Sequence, residues 1–177
     1  MGCSFGAGLL SSLMGHEGES CILQAATLVN PPMKIWICAN SIQGSMYGGY
    51  DSALGKNLER NLLNNEEILN PIFTEKVGVD IKTYIANNRS GITTFDTDIS
   101  VPFNGWKDRE EYYDKASCCH VVSGIKTPCL YLTALDDPVV ADKGVDHEGI
   151  KNNPNCVVAT TNHGGHLGYR ESICDHK

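Results

Sequence analysis

Short apolar runs alternate along this chain with longer stretches whose hydrophobic residues recur at helical spacing. Gly6–Met14 reads as a helix near the start. Cys21-Ile22-Leu23-Gln24-Ala25-Ala26-Thr27-Leu28-Val29 predicts a buried strand, ended by Asn30-Pro31-Pro32 because proline cannot donate to a ladder. Leu54, Leu58 and Leu62, with Ala53, Leu63 and Leu69, place an apolar stripe on a helix over 52–69. A second helix is expected over 74–86, a loop at Asn87-Asn88-Arg89-Ser90-Gly91 and a short helix over 108–116. Thr127–Leu135 predicts a strand with Pro128 at its start, where no ladder donor is needed, and Asn155–Thr161 another. Strands separated by helical stretches imply right-handed crossovers, hence a mostly parallel sheet with helices on both faces. No repeat, low-complexity tract or linker interrupts this pattern, so the class is α/β and the chain is read as one domain.

Composition narrows the chemistry. A chain of 177 residues with 41% hydrophobic content is long enough and apolar enough for one domain with a core. Its formal charge of -7 carries no cluster of Lys and Arg, which a phosphate backbone requires, so nucleic acid is excluded as a partner. The eight cysteines, Cys3, Cys21, Cys38, Cys118, Cys119, Cys129, Cys156 and Cys174, show no disulfide framework. Several sit inside apolar runs, where a free thiol behaves as a small hydrophobe, and this predicts a reducing compartment. No apolar stretch approaches the roughly 18–20 residues that span a bilayer, and no signal peptide is present, so the expected location is cytoplasmic. Met1-Gly2 begins a myristoylation pattern that fails at Gly6, where Ser or Thr is required. Asn88-Arg89-Ser90 fits a glycosylation acceptor and is read as a plain loop, since no secretory signal accompanies it. His163 with His166, and Cys118-Cys119-His120, lack further ligands at zinc-site spacing; no metal and no cofactor are expected.

The chemistry-bearing residues lie at the ends of the proposed strands. Gly2-Cys3-Ser4-Phe5-Gly6 is a G-x-S-x-G motif, in which a serine is lifted clear of the sheet on a strand-to-helix turn too tight for large neighbours. Gly2 and Gly6 are read as supplying that room. The helix that follows aims its first amides, Phe5 N–H among them, at the oxygen on which charge develops in a tetrahedral intermediate, making Phe5 the candidate oxyanion donor. Only Met1 precedes Gly2, so the strand before the turn is expected to be missing. Leu135-Asp136-Asp137-Pro138 follows the Thr127–Leu135 strand, and Gly164-Gly165-His166-Leu167-Gly168 follows Asn155–Thr161. Serine, then acid, then histidine is the chain order of an α/β-hydrolase, and parallel strands bring such loops to one edge of the sheet. The candidate catalytic residues are Ser4 as nucleophile, His166 as base and Asp137 as the acid that orients it, with Asp136 the competing choice of acid. Trp106, Tyr112 and Tyr113 are candidates for an acyl pocket or for simple packing.

Together with Phe95-Asp96, Asn104-Gly105-Trp106, Glu111-Tyr112-Tyr113, Ala116-Ser117 and Ile125-Lys126-Thr127-Pro128, these motifs resemble the abhydrolase-domain carboxylesterases of the embryogenesis-associated type. The resemblance covers almost the whole chain and only the second half of family members. It implies the C-terminal part of an α/β-hydrolase fold, incomplete over 1–177; the segment within about 33–105, lying between proposed core strands, is the expected place for a cap insertion. It also implies hydrolysis of carboxylic esters, with a medium or long acyl ester or lipid as the small-molecule substrate, and assigns the catalytic roles to Ser4, Asp137 and His166. The alternative expectation is a non-catalytic remnant of such a hydrolase, acting at most as an interaction module.

Overall fold

Among the described residues, four strands form one parallel sheet in the order β1-β2-β3-β4, each pairing with its successor in the chain. They are β1 (Gly2–Cys3), β2 (Ala26–Val29), β3 (Cys129–Ala134) and β4 (Cys156–Thr161). The structure, a computed structural model, describes residues 1–169 of the 177; Cys174 lies outside the described residues. Contacts divide the chain into a sheet unit, Met1–Ser41 with the segment from Ala116 onward, and a helical unit, Ile42–Lys115.

In the sheet unit, helix α1 (Phe5–Glu17) links β1 to β2, and a helix in the β3–β4 connection, α9 (His147–Asn152), links the last two strands. The core gathers where these elements meet: Met14 of α1, Leu28 of β2, Tyr131 of β3 and Ile150 of α9 are fully buried. Tyr131 spends its hydroxyl on Ser11 Oγ of α1 at 2.8 Å, so the phenol is buried without an unmet polar atom. Asn153 ties the segment after α9 to the 3₁₀ helix Cys118–Gly124, its Nδ2 donating to the carbonyls of Val122 at 2.7 Å and Ile125 at 2.9 Å. That 3₁₀ helix lies so close to α1 that a Cβ on Gly15 would stand 2.4 Å from the Val121 carbonyl oxygen.

The register explains where the strands begin. Ala26 pairs with Cys129, so any earlier β2 residue would need partners at or before Pro128, which has no N–H to give. The strand expected from Cys21 is therefore only Ala26–Val29 long, and Ile22 ahead of it is almost fully exposed. The opposite difference occurs at the chain start, where Gly2 and Cys3 pair with Leu28 and Val29 as a strand the sequence was not expected to hold.

In the helical unit, α2 (Ile35–Gly44), which crosses the boundary between the units in sequence, is followed by α3 (Gly49–Asn64), α4 (Glu66–Val77) and α5 (Ile81–Asn87). Next come α6 (Ile92–Phe95), a π-helical turn over Asp96–Ser100, α7 (Val101–Asn104) and α8 (Arg109–Ala116). The helix expected over 52–69 breaks at Asn65. There the side-chain Nδ2 takes the Asn61 carbonyl at 2.8 Å, the acceptor a continuing helix would give the backbone, while the Asn65 N–H turns to Leu62 O at 3.2 Å. The helix expected over 74–86 breaks as well: Gly78 caps α4 at φ 88, and Asp80 opens α5 by accepting from Thr83 N–H at 3.0 Å. Leu62, Phe73, Ile81, Tyr84 and Ile99 form the core of this unit. Phe73 meets the Tyr84 ring edge-on, 5.6 Å between centroids.

Candidate active site

Ser4 occupies the turn between β1 and α1 at φ 50, ψ -129, a backbone region costly for a side chain with a Cβ, by about 1–3 kcal/mol, and held only where the surroundings enforce it. Three backbone hydrogen bonds do so. Ser4 N–H donates to Val29 O at 2.8 Å, and Ser4 O accepts from Ala7 N–H at 2.9 Å and Gly8 N–H at 3.2 Å. Of the two glycines expected to make room, Gly2 does: a Cβ there would lie 2.8 Å from Ala7 Cα. Gly6 does not, for a Cβ at that position would meet nothing within 4 Å. Phe5 is the first residue of α1, so its N–H has no acceptor within the helix and heads the positive end of the helix dipole.

Three side chains from three loops at the carboxyl edge of the sheet meet in a line. Ser4 Oγ lies 2.7 Å from His166 Nε2, and His166 Nδ1 lies 2.9 Å from Asp137 Oδ2. With the ring proton on Nδ1 donated to the carboxylate, Nε2 is left as the acceptor for the serine hydroxyl. The Asp137 side chain is 1% exposed. Its Oδ1 accepts from the Val139 and Val140 amides at 2.7 and 2.8 Å, which fixes the carboxylate in place and balances its charge. Asp136, the competing acid, points elsewhere: Oδ1 accepts from Gly165 N–H at 2.8 Å and Oδ2 lies 3.3 Å from His163 Nδ1. The Gly165 amide, more than any other partner, holds the Asp136 carboxyl below the usual carboxylate range. Asp137, not Asp136, therefore faces the imidazole.

A fourth residue meets this group. Asn30 follows β2, is 1% exposed and has φ 45. Its Nδ2 donates to the carbonyls of Gly165 at 3.0 Å and His166 at 2.5 Å, and its Oδ1 accepts from the Tyr169 hydroxyl at 2.6 Å. In the sequence Asn30 reads only as part of a strand stop; the signal was a lone amide wedged between an apolar run and two prolines.

The other candidates are used locally. Cys118 is buried, and His120 stacks on Trp36 with ring centroids 6.1 Å apart. Among the described residues no group of three or more His, Cys, Asp or Glu is arranged to hold a metal ion. Tyr113, in the helical unit, donates its hydroxyl to Asp96 at 3.0 Å and sits against the Tyr112 ring and the Arg109 guanidinium. No helix among the described residues is long and apolar enough to cross a membrane.

No family model matches the chain. A monoacylglycerol lipase of Saccharomyces cerevisiae is 33% identical to it over 174 residues, 96% of this chain and 37% of the relative. The embryogenesis-associated protein EMB8 of Picea glauca is 28% identical over 96% of this chain and 36% of its own length. An abhydrolase domain-containing protein of Dictyostelium discoideum is 25% identical over 96% of this chain and 41% of its own. The chain thus spans less than half the length of these relatives. Along nearly all of its own length the chain thus has abhydrolase-domain proteins as its homologues, and its parallel sheet with helices is the architecture of the α/β-hydrolase class.

Proposed function

We propose that this protein is a serine hydrolase of carboxylic esters, with Ser4 as nucleophile, His166 as general base and acid, and Asp137 orienting the imidazole. The observation that carries the reading is the unbroken hydrogen-bonded line from Ser4 Oγ through His166 to the buried carboxylate of Asp137. The yeast relative, by name a monoacylglycerol lipase, supports an acyl ester as the substrate class, and medium or long acyl esters, acylglycerols among them, are the first to test.

In the first step Ser4 Oγ bonds to the acyl carbon while its proton passes to His166 Nε2 and the carbonyl π pair moves onto oxygen. The Phe5 N–H is the donor for that oxyanion, and an interaction of this kind is worth about 10²–10³ in rate. Collapse of the intermediate breaks the bond to the alcohol, which leaves with the proton from Nε2. Water then repeats the sequence on the acyl-enzyme and restores Ser4. Asp137, held by two backbone amides, stabilises the imidazolium formed on the way without taking up its proton. We assign acyl-chain selection to a cap within the segment between β2 and β3, on its place in the sequence.

The test is covalent labelling of the purified protein with a fluorophosphonate probe. Labelling lost in both Ser4→Ala and His166→Ala is the expected result. A folded protein that takes no label, or takes it equally well without Ser4, overturns the reading and leaves a non-catalytic member of the family.

A further inference from the structure

We infer that Asn30 is the positioning residue of this site, fixing the backbone that carries His166, an inference that rests on the proposed esterase function only for its kinetic consequence. The imidazole is gripped at its ring by Asp137 and Ser4, but a ring is only as well placed as its Cα. His166 follows Gly164 and Gly165, the latter at φ 53, a backbone with unusually many accessible conformations. Side-chain anchors offset that freedom here. Asp136 accepts from the Gly165 N–H, and Asn30 donates to the Gly165 carbonyl and to the His166 carbonyl, so the peptides on both sides of the glycine are held.

Asn30 is suited to this in three ways. Its φ of 45 is the left-handed region, which asparagine tolerates better than other side chains. Its amide is used at both ends, since Tyr169 donates to Oδ1 and thereby fixes which way the amide faces. The Tyr169 ring reaches this position across Gly164, where a Cβ would lie 2.5 Å from the ring. The residue before Asn30 completes the device, because Val29 O accepts the Ser4 N–H. The Val29-Asn30 dipeptide at the end of β2 thus holds the nucleophile's backbone through its main chain and the base's backbone through its side chain. A shift of about 1 Å in such a group costs on the order of 10²-fold in rate.

The experiment compares wild type with Asn30→Gly, Asn30→Asp and Tyr169→Phe, using hydrolysis of p-nitrophenyl butyrate and the imidazole nitrogen shifts of His166 read through its carbon-bound ring protons. Asn30→Gly removes the amide while suiting the positive φ; Asn30→Asp keeps the acceptor for Tyr169 and loses both donors. Both are expected to lower kcat by about 10- to 100-fold with KM within about twofold. Both are also expected to move His166 from one tautomer, protonated at Nδ1, to a mixture. Tyr169→Phe, which leaves Asn30 in place, is expected to give the same kcat-only signature at about 3- to 10-fold, and decides the matter if neither Asn30 variant folds. A folded Asn30→Gly with unchanged kcat and tautomer, or an unfolded one paired with an unchanged Tyr169→Phe, overturns the inference. If wild type hydrolyses nothing yet shows the Nδ1 tautomer, the esterase reading fails and Asn30 is judged on the tautomer alone. A folded wild type without that tautomer overturns both.

Discussion

At positions 136 and 137 two carboxylates one peptide apart face different partners, and their exposure follows. Asp137 is enclosed and turned to His166; Asp136 is 42% exposed at its side chain and turned to the histidine loop. Asp137→Asn should therefore lower kcat by about 10³- to 10⁴-fold, since the amide oxygen is kept by the Val139 and Val140 N–H groups, its NH2 then faces Nδ1 and favours the wrong tautomer, and no negative charge remains to stabilise an imidazolium. Asp136→Asn, whose side-chain oxygen still accepts from Gly165, should cost less than about tenfold, and steady-state kinetics on one ester separates the two. Asp136 also has a pH signature. Its carboxyl lies lower in the folded protein than in the unfolded chain, so its contribution is present above the unfolded value of about 3.9 and is lost as pH falls through the folded value. Protection of the Gly165 amide should be level through the neutral range and fall only below about pH 4; loss between pH 5 and 7 would assign that amide's protection to another group. Ser4, Asp137 and His166 were legible because a motif and a fixed chain order announce them. Asn30 was not, because its partners stand at positions 165, 166 and 169 and no local pattern links them to it.

Between elements, glycines carry the sharpest packing information, and their sequence context misleads. Gly6 sits in the motif and was expected to be sterically required; Gly15, in mid-helix, drew no expectation. The structure reverses them, with open space at Gly6 and the Val121 carbonyl pressed against Gly15. Gly15→Ala should destabilise the protein by about 1–3 kcal/mol by forcing α1 off the Cys118–Gly124 helix. Gly6→Ala should leave stability unchanged or raise it by up to about 1 kcal/mol, through helix propensity alone. Chemical denaturation of the two variants tests the ordering, and equal losses would sink it. Strand β3 was legible from its apolar run because a strand mostly buried in a parallel sheet needs little more; β4, where only Cys156 is buried and Val157 is exposed, was legible from its run of β-branched residues. The helix breaks at Asn65 and Gly78 were not, since the apolar period runs on across both and the local outcome is decided by the Asn65 side chain at one and by a left-handed glycine at the other.

On the scale of the whole molecule, Ser4, Asn30, Asp137 and His166 all belong to the sheet unit, whereas the cluster around Phe73 belongs to the helical one. The two units have separate cores, so damage to one core should be separable from chemistry in the other. Phe73 is fully buried, in ring contact with Tyr84 and Phe103, and Phe73→Ala should cost the helical unit about 3–5 kcal/mol. Below the melting of the sheet unit, labelling of Ser4 by a small fluorophosphonate should stay within about twofold of wild type, because every group the reagent needs lies outside the damaged core. Hydrolysis of long acyl esters should fall relative to short ones, as acyl selection by a cap in this segment requires. Calorimetry run beside labelling at each temperature reads both effects. If Ser4 labelling collapses together with the helical unit, the chain unfolds as one cooperative body; if it persists and the long-to-short preference is unchanged, selection of the acyl chain lies in the sheet unit.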